Sequence, residues 1–259
     1  MPHLSKLLIY PIKSLDGVEV TEATILPGGA LAHDREFVLF DPQGRVVNGK
    51  RTAKIHTLRS IYELAARTVT LRIQDRDRPA ETFHLDADRL ALEVWFSDFL
   101  GFPVTLQQNL HQGFPDDTDA SGPTVVSLGT LETIANWFPD LSLEAVRQRF
   151  RTNLEIADVP PFWEDQLFGD VGQQVAFQIG SVTFLGNHPC QRCVVVTRDA
   201  LTGEAYPNFQ KQFVSQRRAT LPTWTTPSRF NHFYRLTVNT IVPASEAGKT
   251  LCLGDKVSL

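Results

Sequence analysis

The first hundred residues break into short runs of Val, Ile, Leu and Phe that strong turn signals cut off, and this limits the folds open to the chain. Residues 7–12, 18–25 and 36–40 are such runs, and Pro27-Gly28-Gly29 and Asp41-Pro42-Gln43-Gly44 separate them. Glycine reaches positive φ at little cost and proline presets its own φ, so each cluster favours a reversal of the chain. Residues 67–73 alternate polar and apolar side chains with period 2, the mark of a half-exposed strand. Asp75 to Pro79 then reads as a charged hairpin tip. Short strands at this spacing predict a small barrel or sandwich.

One helix interrupts the β pattern. Over residues 88–100, Leu92, Trp95, Phe96 and Phe99 recur at i, i+3, i+4 and i+7, and Gly101-Phe102-Pro103 ends the run. Residues 107–122 are polar, rich in Asp and Gly and without periodicity, as expected of a linker or of a loop over a site. A boundary near residue 106 follows, with one region over 1–106 and a second over 107–259.

The second region mixes elements. A short strand is expected at 124–128, a helix at 130–138 stopped by Pro139, and a helix N-capped by Ser142 that runs to about Phe150. Strands are expected at 174–179, 182–185, 194–197, 233–241 and 250–259. Residues 209–227, with Arg217-Arg218 and Trp224, read as a solvated loop that would otherwise serve as a docking surface or lid. The fold class is mixed and β-rich, with a β-barrel-like first region and a second β-barrel carrying a few helices.

Charge and composition exclude some functions. A formal net charge of −4 argues against a basic nucleic-acid surface. No apolar run approaches the ~20 residues that a membrane span requires. Pro11, Lys13 and Asp16 cut short the apolar start, so no secretory signal is expected. Three cysteines form no disulfide framework and fit a reducing compartment, with the cytoplasm as the default.

Two of those cysteines share the stretch His188-Pro189-Cys190-Gln191-Arg192-Cys193, ahead of the β-branched run Val194 to Thr197. Four readings are open. A thioredoxin-type redox pair needs a helix N-terminus behind it, and a β-branched run is a poor helix start. A structural zinc site would take His188, Cys190 and Cys193 and need a distant fourth ligand, Cys252 or His232. Two buried thiols are also ordinary core residues. The fourth reading is a single thiolate ligand to a metal that a cofactor brings, with Arg192 favouring the charged form of either sulfur. An anionic cofactor needs positive and hydrogen-bonding groups, and Lys13-Ser14, Asp34-Arg35 and Arg151-Thr152-Asn153 stand in loop-like positions.

The order of these pieces resembles the MOSC proteins (molybdenum cofactor sulfurase C-terminal domain). Tyr10-Pro11-Ile12-Lys13-Ser14, followed by Gly29 to Arg35, is similar to the family's N-terminal β-barrel region. Asp119 to Pro123, Arg149 to Leu154, Trp163-Glu164-Asp165, the cysteine loop Cys190 to Cys193, Asp199 to Gly203 and Leu253 to Val257 follow in the family's order. The layout is similar to that of the mitochondrial amidoxime-reducing component and its bacterial relatives. The resemblance implies that Cys193 ligates molybdenum. It also implies that Lys13, Ser14, Arg35, Ser121, Arg151 and Asn153 hold the pterin and its phosphate, with Gln191 beside the metal. The implied activity is two-electron reduction of N-hydroxylated small molecules at molybdenum, with electrons from a separate flavin reductase or a ferredoxin- or cytochrome-type protein. Carriage of the cofactor or sulfur transfer, with Cys190 as the sulfur acceptor, is the alternative.

Three departures stand out. Thr152 replaces a proline and Ala120 a hydroxyl residue, while Gln191 replaces a small side chain next to the metal position. The proton donor is open among Asp119, His188 and Glu164.

Overall fold

The computed structural model describes residues 1–74 and 79–259, so the expected hairpin tip lies, up to Arg78, outside the described residues. In the first region the strands are β1 (His3–Ile9), β2 (Val18–Glu19), β3 (Glu22–Thr24), β4 (Phe37–Phe40), β5 (Leu58–Glu63), β6 (Thr68–Ile73), β7 (Glu81–His84) and β8 (Thr105–Gln108), with helix α1 (Arg89–Leu100) before β8. The second holds β9 (Val125–Ser127), α2 (Leu128–Trp137), α3 (Leu143–Phe150), β10 (Leu154–Ala157), β11 (Val175–Ile179), β12 (Val182–Gln191), α4 (Phe209–Ala219), β13 (Arg235–Ile241), β14 (Thr250–Cys252) and β15 (Val257–Ser258).

The fold is β-rich, with two barrel-like regions and a few helices. The first region packs the β5-β6-β7 meander, the β4-β8 pair and α1 around one core. Helix α1 buries the stripe seen in the sequence, Leu92, Trp95, Phe96 and Phe99, each such side chain contributing about 1.5–3 kcal/mol. Gly101 ends the helix at φ 85°, the left-handed conformation that glycine adopts without a Cβ penalty.

The second region curls around an eight-stranded sheet of order β15-β11-β12-β13-β9-β10-β1-β2. Its strands β1 and β2 come from the first region: β1 pairs antiparallel with β10, Leu7 opposite Leu154. Strand β14 pairs in turn with β3. The two regions are therefore tied by backbone ladders.

Two expectations fail. Residues 194–197 form a 3₁₀ turn, not a strand. Only Val196 of the run is buried, and the Arg198 N–H donates to the Val195 carbonyl at 3.0 Å, so no ladder forms and packing overrides β propensity. Residues 209–219 are a helix, not a solvated loop, because α4 buries Phe209, Phe213 and Arg217 at i, i+4 and i+8. Smaller shifts follow the same logic. β12 runs on to Gln191, and the closing segment splits into β14 and β15 around Gly254 at φ 88°.

Candidate functional site

A cavity of about 730 Å³ opens between the two regions. It gathers Lys13, Ser14, Arg35, Ser121, Arg151, Asn153, Gln191 and Cys193, every site residue expected from the sequence, together with Cys190. Residues 109–122 cross it as a loop. Gly113 sits at φ 62°, and a Cβ there would meet the Asp34 carbonyl at 2.5 Å, so only glycine lets this loop lie against Asp34-Arg35.

Three expected residues are held in left-handed backbone: Ser14 at φ 75°, Arg35 at 49° and Arg151 at 52°. Such conformations in residues other than glycine cost on the order of 1 kcal/mol and cluster at functional sites. The Arg35 N–H donates to the Tyr10 carbonyl at 2.9 Å. The Arg151 N–H donates to the Arg147 carbonyl at 2.8 Å and closes α3 where glycine is the usual residue.

The expected residues differ in how far the protein already satisfies them. Lys13 Nζ donates to the carbonyls of Phe114 (2.9 Å) and Pro115 (3.0 Å) and pairs with Asp116 at 2.8 Å, which uses its three protons. Asn153 is 1% exposed; its Nδ2 donates to the Leu8 carbonyl at 3.0 Å and its Oδ1 accepts from Thr124 N at 3.1 Å. Ser121 Oγ donates to the Gly28 carbonyl at 2.9 Å. Arg35 pairs with Asp34, whose other oxygen accepts from Tyr10 N. Arg151 differs from all of these. Its guanidinium lies 4.1 Å from the centroid of the Tyr10 ring and has no salt-bridge partner among the described residues.

This cluster of basic groups lies inside a chain of net charge −4, so positive potential is concentrated in the cavity and not spread over the surface. His56, on the same wall, shows the effect. Burial first, then the charges of Arg198, Arg151 and Arg59, push its imidazole down to about 4. Its Nε2 is buried without a partner. The cavity suits an anion rather than another cation.

The cysteine loop resolves into unequal parts. Cys190 is near the end of β12, and Arg192 Nη1 lies 3.3 Å from its sulfur. Arg192 also donates to the Phe150 carbonyl at 2.7 Å, which fixes its guanidinium on Cys190 and not on Cys193. Cys193 precedes the 3₁₀ turn, and Tyr234 OH donates to its carbonyl at 3.2 Å. Both thiols are free and partly exposed. Among the described residues no three His, Cys, Asp or Glu side chains gather as a metal site, so the four-ligand zinc reading finds no support. Cys252 lies on β14, which pairs with β3, and does not line the cavity that holds Cys190 and Cys193. No helix of the described residues is long and apolar enough to cross a membrane.

Of the proposed acids only His188 lines the cavity. Glu164 is fully buried against β9 and α2, accepting from Ser127 N at 3.2 Å and Thr130 Oγ1 at 3.0 Å. Asp119 is exposed. Sequence reasoning missed Asp117, Asn239 and His56. Asp117 lay in the Asp-rich stretch read as a linker or loop over a site, and no local pattern singles out the other two.

Comparison with known proteins adds an independent line. Residues 1–103 match the MOSC N-terminal beta barrel domain, and residues 123–257 match the MOSC domain. Molybdenum cofactor sulfurase of Danio rerio is 28% identical over 77% of this chain and 28% of its own length. Molybdenum cofactor sulfurase 3 of Aedes aegypti is 33% identical over 78% of this chain and 30% of its own length. The chain thus spans less than a third of these sulfurases. Mitochondrial amidoxime reducing component 2 of Homo sapiens is 24% identical over 77% of this chain and 68% of its own length. The YUAD protein of Bacillus subtilis aligns over 99% of this chain and 94% of its own at a TM-score of 0.42 and 9% identity, too slight a likeness to define the fold.

Proposed function

This chain belongs to the MOSC-domain family, and from that premise we propose that it is a molybdenum-cofactor-dependent reductase of N-hydroxylated compounds such as amidoximes and hydroxylamines. The observation that carries the reading is the joint placement of the Cys193 thiol and the unpaired Arg151 guanidinium in one cationic cavity. A partly buried guanidinium without a carboxylate partner is a ready site for a phosphate, which its planar fork matches. The donor set fits the cofactor. Arg151, Arg35 and Lys13 would hold the phosphate, and Ser14, Ser121 and Asn153 the polar pterin edge. Gln191 would stand beside the metal, and Cys193 would be the protein's single thiolate ligand. When bound, the cofactor supplies the two-electron chemistry at the N–OH group.

The protein's own tasks are binding, orientation and proton delivery. The cationic lining disfavours competing cations, and residues of the 109–122 loop form part of the cavity wall. Electrons come from a separate flavin-, iron–sulfur- or haem-bearing donor protein, and the whole acts in the cytoplasm. Protein from molybdate-supplied cells should carry molybdenum and reduce benzamidoxime with a chemical reductant. Metal-loaded protein that reduces no N-hydroxylated compound would remove the reading.

A second reading is cofactor carriage or sulfur transfer without turnover. It is favoured by the 3.3 Å contact of Arg192 with the Cys190 sulfur, since a cation stabilises a thiolate or persulfide there. A persulfide on Cys190, with no reduction from any electron donor, would select it.

A further inference from the structure

One cluster in the cavity wall has no task in the reading above. His188 on β12 stands opposite Asn239 on β13, and Asp117 descends on both from the crossing loop. His188 Nε2 lies 2.8 Å from Asp117 Oδ2, and Asn239 Nδ2 donates to the same oxygen at 2.9 Å. Asp117 is 71 residues from His188 and 122 from Asn239 in sequence, so no local turn brings them together. All three line the cavity.

The geometry fixes the proton. A carboxylate only accepts, so Nε2 must carry the hydrogen that Asp117 receives. The 3.1 Å approach of Asn239 Nδ2 to Nε2 then brings together two donors that share one acceptor, and is not a hydrogen bond of its own. Nδ1 has no partner among the described residues, which leaves it for the cavity. A carboxylate behind an imidazole is the arrangement that orients a general acid or base. Charged and titratable groups near His188 include Cys190 on its own strand and two arginines that reach the carbonyls on either side of it. Arg235 Nη1 reaches the Pro189 carbonyl at 3.1 Å, and Arg229 Nη2 the Asn187 carbonyl at 3.3 Å.

Resting on the reductase reading, we propose that His188 is the catalytic proton donor of the N–OH reduction, with Asp117 and Asn239 as its positioning residues. The reaction consumes two electrons and two protons: the N–O bond breaks, nitrogen leaves as amine or amidine, and oxygen leaves as water. The reduced donor protein supplies the electrons. The His188 imidazolium gives one proton from Nδ1 to the departing oxygen, solvent gives the other, and solvent reprotonates the ring. Glu164 is buried behind β9 and does not line the cavity.

Two measurements test it. In cofactor-free protein, ¹⁵N shifts of the neutral His188 ring, assigned by their loss in His188→Gln, should report the Nε2–H tautomer, and Asp117→Asn should mix the tautomers. A wild-type Nδ1–H tautomer overturns the proposal. In molybdenum-loaded protein with benzamidoxime and a reduced viologen, His188→Gln should lower kcat ~10²-fold or more at unchanged molybdenum content and KM. It should also lose the limb on which the rate falls as pH rises, and added imidazole should partly rescue His188→Ala. Asp117→Asn, a change in the loop, tests the same pair without disturbing β12 and should lower kcat by ~10-fold or more. Retention of kcat and of that limb in His188→Gln overturns the proton donor and leaves the reductase standing. Wild-type protein that carries molybdenum and reduces nothing overturns both.

Discussion

The Arg151 guanidinium stacks 4.1 Å from the centroid of the Tyr10 ring with no acidic partner among the described residues. Tyr10 cannot neutralise it. Burial pushes the phenol up to about 12 even against the charges of Arg151 and Arg35, and its hydroxyl donates to the Thr152 carbonyl at 3.1 Å. The ring positions the cation and leaves its charge unspent, which makes Arg151 the residue best prepared for an anionic ligand.

Arg151→Gly separates function from stability. Glycine relieves the left-handed strain at φ 52°, a gain of up to about 1 kcal/mol against a lost cation–π contact of similar size. Thermal unfolding should shift little, while cofactor content falls sharply. A variant that keeps its cofactor contradicts the assigned role.

Asn153 behaves in the opposite way. It ties Leu8 on β1 to Thr124 at the start of β9. Asn153→Ala strands buried groups at about 1–3 kcal/mol each. Urea unfolding should show that loss even in cofactor-free protein, and unchanged stability would mark Asn153 as a ligand alone.

Lys13 pairs with Asp116 at 2.8 Å, and in the proposed site that carboxylate competes with the phosphate. Asp116→Asn removes the competing charge, and inorganic phosphate should bind several-fold more tightly by calorimetry. Weaker binding would mean that Asp116 organises the site instead of guarding it.

Much of this was legible in the sequence, for definite reasons. Leu92, Trp95, Phe96 and Phe99 announced α1 because a one-sided apolar stripe has a period, and Ser142 announced α3 because its hydroxyl accepts from Ala145 N at 3.1 Å. Helix α4 was hidden because its third buried position is Arg217, fully buried and paired with Asp165, so the stripe is broken by a charge whose partner lies 52 residues away. The turn at Val194 was hidden because β-branched propensity has no view of the α3 surface it packs on. The basic loops were legible as residues, but their satisfaction was not: nothing local tells that Lys13 is saturated and Arg151 is free.

Glu164 gives a pH signature. Burial first, then the neighbouring Asp165 charge, raises its carboxyl above the ordinary 4.5. A raised acid favours the fold while protonated, so its contribution is present below the ordinary value and is lost as pH rises toward neutrality, by about 1–3 kcal/mol. His56, pushed down, works in the opposite sense and loses stability as pH falls below 6.5, so the difference between proteins is the quantity to read. The melting temperature of Glu164→Gln relative to wild type should rise from pH 5 to pH 8. A flat difference contradicts the shift.

In the proposed enzyme Cys193, not Cys190, carries the metal. Wild type, Cys193→Ala and Cys190→Ala, all from molybdate-supplied cells, should be compared for molybdenum content and benzamidoxime reduction with reduced viologen. Wild type should hold near-stoichiometric molybdenum and be active, Cys193→Ala should reduce nothing, and Cys190→Ala should retain substantial reduction. Cys193→Ala protein that reduces benzamidoxime as fast as wild type would contradict that assignment.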